Sequence, residues 1–303
     1  MSRSILTLIL KAIIAIGFVV ALFVWLAAHY QMSDLTEQWL RLPGSLVVMA
    51  SLMIIASHVI RAMRVHFAYS LVCPQPLARV LSVSLVHNTV SFLLPMRLGE
   101  AALPVLSKQQ LDVDIKYSTA TLVLIRLFDA HVLLCLLCFF AGGLFLEGAA
   151  WIAPIVLVAG LPVFIYLLRA ISHRVPKIAF AKPLFASHPN WLRLYAYTIA
   201  IWVIKLFALA MLAATLGNLP IDHAWIATII ADGSALSPLT GLANAGTFQA
   251  AFSLPLLPLG YNAQQLVLIA VNVHVFIFII NMLAGISGFI GLRSRATPPT
   301  SHS

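Results

Sequence analysis

Six apolar segments of membrane-spanning length recur along the chain, at about 12–30, 44–60, 118–141, 149–170, 191–216 and 267–292. A helix needs roughly 20 apolar residues to cross a bilayer. Between these segments lie two apolar stretches of another kind, Val80–Leu106 and Ala224–Tyr261, each broken by Pro and Gly. Charged residues make up 9% of the chain, against about 25% in an ordinary soluble domain. Such a chain cannot cover a water-facing surface. The expectation is an all-α polytopic membrane protein, a single integral membrane domain over 1–303 with a short polar tail at 296–303.

Charge sets the expected topology. The net charge of +9 reads as the excess of Lys and Arg that cytoplasmic loops carry, not as a nucleic-acid footprint. Arg3 and Lys11 precede the first segment, and Arg293 and Arg295 follow the last, so both termini are expected in the cytoplasm. Arg61, Arg64 and Arg79 are read as marking the cytoplasmic end of the second segment. Lys108 and Lys116 fall on the same side, so Val80–Leu106 must enter and return. Two full spans do not fit in that length, whereas one re-entrant hairpin does, with its turn near Pro95 and Gly99. By the same reasoning Ala224–Tyr261 is a hairpin entering from the opposite face, broken at Pro238, Gly241 and Gly246. Six spans and two hairpins then form halves 1–145 and 146–295 of inverted polarity, the alternative being eight spans. Inverted repeats with broken helices meeting near the midplane are a transporter architecture.

The first hairpin and the following helix carry Arg97, Glu100, Arg126 and Asp129. Ionisable groups at that depth cost about 2.5–3.5 kcal/mol each on insertion scales. They are kept where they line a polar cavity. Arg97 and Glu100 are three apart, as are Arg126 and Asp129, so each pair shares a helix face and can neutralise itself. The arginines also offer donor forks that match phosphate. His87 and Asn88 lie on the entering arm. In the second hairpin Asp232, Ser237, Thr240, Asn244 and Gln249 are the corresponding candidates. Lys205, Asn272, His274 and Asn281 could also face the interior. Cys135 and Cys138 form a C-x-x-C with His131 nearby, but small hydrophobes at a helix contact explain them better than a metal. No metal or other cofactor is expected, and no P-loop is present to use ATP.

The run NTVSFLLPMRLGEAALPVL followed by RLFDA resembles the flippase-like transmembrane family named for the membrane region of lysyl-phosphatidylglycerol synthase. The residues that carry the resemblance are Asn88, Pro95, Arg97, Gly99, Glu100, Arg126 and Asp129, with Pro238, Gly241, Gly246 and Gln249 in the second motif. At the last of these the family usually has Glu, so Gln249 removes a charge. The resemblance implies a multi-pass cell (inner) membrane protein that moves an anionic phospholipid or a polyisoprenyl-phosphate-linked lipid between leaflets. Some members also carry a soluble lysyl-transferring domain. These 303 residues include none, so aminoacyl transfer is not expected of them. Alternatives are a membrane-embedded lipid-modifying enzyme and a non-catalytic partner of a glycosyltransferase or lipid synthase.

Overall fold

A computed structural model describes residues 32–145, 152–236 and 242–294, together with Val24. Contacts divide the chain into two units, 1–43 and 44–303. In the first unit the segment expected as a loop contains a helix, α1 (Met32–Leu40), followed by an exposed Glu37–Arg41 pair. The expected first span at 12–30 lies outside the described residues.

The second unit holds α2 (Gly44–Ser70), α3 (Leu77–Leu93), α4 (Ala102–Leu111), α5 (Ile115–Phe145), α6 (Ile152–Arg174), α7 (Lys182–Phe185), α8 (His188–Gly217), α9 (Ile221–Gly233), α10 (Thr247–Ser253) and α11 (Ala263–Arg293). The protein is an all-α polytopic membrane protein. Five helices, α2, α5, α6, α8 and α11, are long and apolar enough to cross a bilayer. The remaining apolar elements are not. At 1.5 Å per residue α3 is about 25 Å long and α9 about 20 Å. Each turns back on a shorter partner, α4 and α10 respectively. From the second expected span onward this is the order expected from the sequence: span, hairpin, span, then span, span, hairpin, span.

The first hairpin breaks for a local reason. Pro95 has no N–H and pushes its predecessor out of the helical region. Leu94 is accordingly extended (φ −79°, ψ 132°), and a 3₁₀ run, Pro95–Ala101, begins. Met96 and Arg97 then take left-handed conformations, at φ 53° and 60°. The second hairpin repeats the device with Ala243 and Asn244, at φ 48° and 60°. A left-handed non-glycine residue costs on the order of 1–3 kcal/mol. Both tips therefore store strain that surrounding contacts must hold.

One expectation is corrected by α2. The charge pattern ends the second span near Ile60, with Arg61 and Arg64 as cytoplasmic markers. Instead α2 continues to Ser70, and Arg64 is only 2% exposed. The outer stripe of α2 is Val48, Leu52, Ile55, Val59 and Met63, all exposed and apolar. Its inner stripe includes Ile54, Ser57, His58, Arg64 and Val65. The i, i+3, i+4 spacing puts the basic residues on the protein-facing side of a lipid-facing helix. Their partners come from other helices, so nothing in the local sequence reveals that they belong inside.

The centre is built by close approaches. α2 packs along α8, and α3 packs along α11. On α11 a Cβ at Gly285 would come 2.6 Å from Thr89, and one at Gly288 would come 2.7 Å from Leu85. Small residues let helices approach closely where lipid supplies no hydrophobic drive. The approach is fixed by Thr89 Oγ1, which donates to the carbonyl of Asn281 at 2.8 Å.

Candidate functional site

Asp129 on α5 is fully buried and accepts three hydrogen bonds. Arg64 Nη1 of α2 and Trp202 Nε1 of α8 reach Oδ1 at 2.8 and 2.9 Å. Arg126 Nη1 reaches Oδ2 at 2.9 Å. Arg64 also donates to Thr198 Oγ1 at 2.7 Å, and that hydroxyl donates to the carbonyl of Leu194. Arg126 Nε lies 2.9 Å from the Glu100 carboxylate, and Arg97 Nη2 lies 3.0 Å from it. Arg97 then donates through Nη1 to the carbonyl of Leu236 at 2.9 Å. A single chain of charges, Arg64–Asp129–Arg126–Glu100–Arg97, thus runs from α2 through α5 and the first hairpin tip to the second hairpin.

A second ion pair lies beside it. Lys205 Nζ of α8 sits 2.7 and 2.8 Å from the two oxygens of Asp232 on α9. Lys205 therefore points inward rather than towards the surface. Trp202 ties the two systems together: Arg61 lies over its ring at 5.2 Å and Lys205 at 5.6 Å. A cation over an indole face is held by the ring quadrupole. Five cations (Arg61, Arg64, Arg97, Arg126, Lys205) meet three carboxylates (Glu100, Asp129, Asp232) here, an excess of two positive charges. Arg61 is the member of this set with no carboxylate partner among the described residues.

These groups surround a cavity of about 110 Å³. α2 lends His58 and Arg61, α3 lends Asn88 and Ser91, and the first hairpin and α5 lend Glu100 and Arg126. Trp202 and Lys205 of α8, with Asp232 and Asn244 of the second hairpin, complete the lining. Several atoms of the lining are buried without a hydrogen-bond partner among the described residues: both ring nitrogens of His58, Nδ2 of Asn88, Oγ of Ser91 and Oδ1 of Asn244. The Asn244 amide is oriented by its Nδ2, which donates to Ser234 Oγ at 3.1 Å. Buried polar atoms are nearly always paired, so a group of orphans around one cavity marks a place where a polar ligand or water completes the bonding.

The structure brings together most of the residues that the sequence singles out. Asn88, Glu100, Arg126, Asp232 and Asn244 line the cavity. Arg97 and Asp129 sit on the charge chain. His87 is 4% exposed but is not part of the lining. Gln249 is buried behind the second tip. Its Oε1 accepts from the N–H of Gly246 at 2.8 Å, and its Nε2 contacts His274 Nδ1 at 3.1 Å. His274 Nε2 lies 2.9 Å from the carbonyl of Ala243. Ser237, Pro238, Thr240 and Gly241 lie outside the described residues. Sequence reasoning misses His58, Arg61, Arg64, Ser91, Thr198 and Trp202. The available signal was a polar stripe, Ser57, His58, Arg61, Arg64, at helical spacing in an otherwise apolar segment. His131 makes contacts of its own, to Tyr195 Oη at 2.8 Å and the Leu157 carbonyl at 3.1 Å. Among the described residues no group of three His, Cys, Asp or Glu could hold a metal ion.

The family description "Lysylphosphatidylglycerol synthase TM region" matches residues 10–285. The chain belongs to this family. The match covers four of the five described spans in full, both hairpins and α11 as far as Gly285, and it places this multi-pass membrane protein among proteins related to lipid metabolism. None of the curated proteins matches the chain.

Proposed function

We propose that this family member is a lipid translocator of the cell membrane. It moves the head group of an anionic phospholipid or a polyisoprenyl-phosphate-linked lipid between leaflets while the tails stay in the bilayer. The observation that carries the reading is the cavity itself: polar, cationic in excess, lined with polar atoms that lack partners among the described residues, and walled by both broken hairpins. In this reading the two halves form an inverted repeat with both termini in the cytoplasm. The charge chain is the moving part. Arg97 and Arg126 hold the tips through Glu100, Asp129 and the Leu236 carbonyl. They exchange these partners for the lipid phosphate as the hairpins rock. Asn244, with Ser237 and Thr240 beside it in the sequence, serves head-group hydroxyls.

The test is a flip assay in liposomes carrying the purified protein, with fluorescent phospholipid and labelled polyisoprenyl-phosphate sugar side by side. Translocation of one lipid without chemical change, lost in Arg97→Ala, is the expected result. A chemically altered lipid would replace this reading with a membrane-embedded enzyme. Movement of neither lipid by folded protein would leave the role of a partner for a glycosyltransferase or lipid synthase.

A further inference from the structure

We infer that the resting anion seat is built by Arg61, His58, Asn88 and Ser91, on the α2–α3 wall, rather than by the arginines of the charge chain. The inference rests on the translocator reading for its lipid and on the cavity for its residues. Its ligand chemistry is a phosphate anion.

The charge chain leaves little to offer. Arg126 also lines the cavity, but its Nε and Nη1 are spent on Glu100 and Asp129, which leaves Nη2 alone to offer. Arg97 spends two nitrogens on Glu100 and the Leu236 carbonyl. Arg64 is 2% exposed and bound to Asp129 and Thr198. Lys205 is paired with both oxygens of Asp232. Arg61 is different. It lines the cavity and, among the described residues, has no carboxylate partner and is held by the Trp202 ring. A guanidinium stacked on an aromatic face keeps its fork of N–H donors free for a planar or tetrahedral oxyanion.

The neighbours of Arg61 supply the rest of a donor set. His58 is one turn earlier on the same face, 6% exposed, with neither ring nitrogen bonded among the described residues. A neutral imidazole always has one N–H to give. Asn88 and Ser91 of α3 line the same cavity, again three residues apart, with Nδ2 and Oγ buried and unpartnered among the described residues. One fixed cation and three neutral donors around a single space match a phosphate mono- or diester, whose ionised oxygens accept hydrogen bonds. The cationic excess of the cluster is then neutralised by the ligand, not by the protein.

Binding is measured on the full chain in detergent by titration calorimetry. The probes are dihexanoyl phosphatidic acid, inorganic phosphate alone and dihexanoylglycerol. Wild-type protein binds the phosphatidic acid and not the neutral diacylglycerol. A charge-assisted hydrogen-bond donor is worth roughly 10- to 100-fold in affinity, so Arg61→Ala weakens binding by about that factor. Arg61→Lys keeps the charge but not the fork, and falls between the two. His58→Ala and Asn88→Ala lose about 3- to 10-fold each, and Arg97→Ala less than about 3-fold. Arg61→Ala orphans no carboxylate, and its thermal unfolding is followed in parallel; Arg61→Met, which retains the apolar stem, repeats the test. Unchanged affinity in folded Arg61→Ala and Arg61→Met would overturn the seat. So would an effect of Arg97→Ala larger than that of Arg61→Ala, or no binding of any phosphate probe to wild type. Inorganic phosphate that binds as tightly as the lipid, with the same dependence on Arg61, supports the seat and removes the lipid from it. Intact lipid binding with no lipid movement in liposomes sinks the translocator reading and leaves the seat standing.

Discussion

Asp129 illustrates how a single residue can organise a membrane core. Three donors from three helices converge on its carboxylate, and two of them, Arg64 and Arg126, are cations. Removing one partner of a buried ion pair costs about 3–5 kcal/mol, because the survivor is left desolvated and unpaired. Asp129→Ala is expected to fall in that range in denaturant titrations of the micellar protein. Adding Arg64→Met should recover part of the loss, since one stranded charge goes with it. A cost within about 1 kcal/mol of wild type would show that the chain is held by something other than Asp129. Gln249 poses a different question, because the sequence resemblance implies Glu at this position. Its Oε1 is fixed by the Gly246 N–H, so Nε2 must donate to His274 Nδ1, and His274 must carry its proton on Nε2, facing the Ala243 carbonyl. The second tip is thereby held by a neutral histidine of one tautomer. Nitrogen NMR of histidine-labelled protein is expected to show Nδ1 of His274 unprotonated. In Gln249→Glu the carboxylate calls for a second proton, and both ring nitrogens become protonated. The opposite tautomer in wild type would mean that the amide of Gln249 is turned around.

At the scale of elements, the hairpins were legible as hairpins, while their tips were not. Pro95 predicts where α3 must stop, and flanking charge, with a length too short for two full spans, predicts that Val80–Leu106 enters and returns. The sequence of the tip says nothing of Met96 and Arg97 in left-handed conformation, because both residues disfavour it intrinsically. Tertiary contacts impose it: the Arg97 bond to Leu236, and Gly99 seated on the backbone of α3. A Cβ on Gly99 would come 2.5 Å from Ser91 Cα, and backbone cannot move aside as a flexible side chain can. Gly99→Ala is therefore expected to pry the tip from α3, at about 1–3 kcal/mol in unfolding experiments, and to lower lipid movement in liposomes. Gly160 on α6 is the internal control, since a Cβ placed there would meet nothing within 4 Å. Gly160→Ala should be neutral, or stabilising by up to about 1 kcal/mol through helix propensity. Equal effects at the two glycines would sever the link between tip packing and strain.

For the whole molecule, hydropathy sufficed to order the spans, because each lipid-facing stripe must be apolar whatever it packs on. It failed where a helix turns polar residues inward. Arg61 and Arg64 look like the end of a span, since the groups that accept them, the Trp202 ring and Asp129, are supplied from elsewhere in the chain. With those two moved inside, the expected orientation rests on Arg79, Lys108, Lys116 and the basic residues around 169–193. On that set the feet of the two hairpins are expected on opposite faces. Asp112 ends the first hairpin, while Asn218 and Asn262 flank the second. α5 and α8 each carry about 30 residues between those faces, roughly 45 Å of helix, which is more than the hydrocarbon core. In a background with Cys73, Cys135 and Cys138 replaced, a membrane-impermeant maleimide applied to intact cells should label Asn218→Cys and Asn262→Cys. Asp112→Cys should react only after the membrane is opened. Labelling of all three from one side would abolish the inverted repeat, and with it the idea that one cavity is presented alternately to two leaflets. Labelling of Asp112→Cys alone from outside would keep the repeat and reverse its orientation in the membrane.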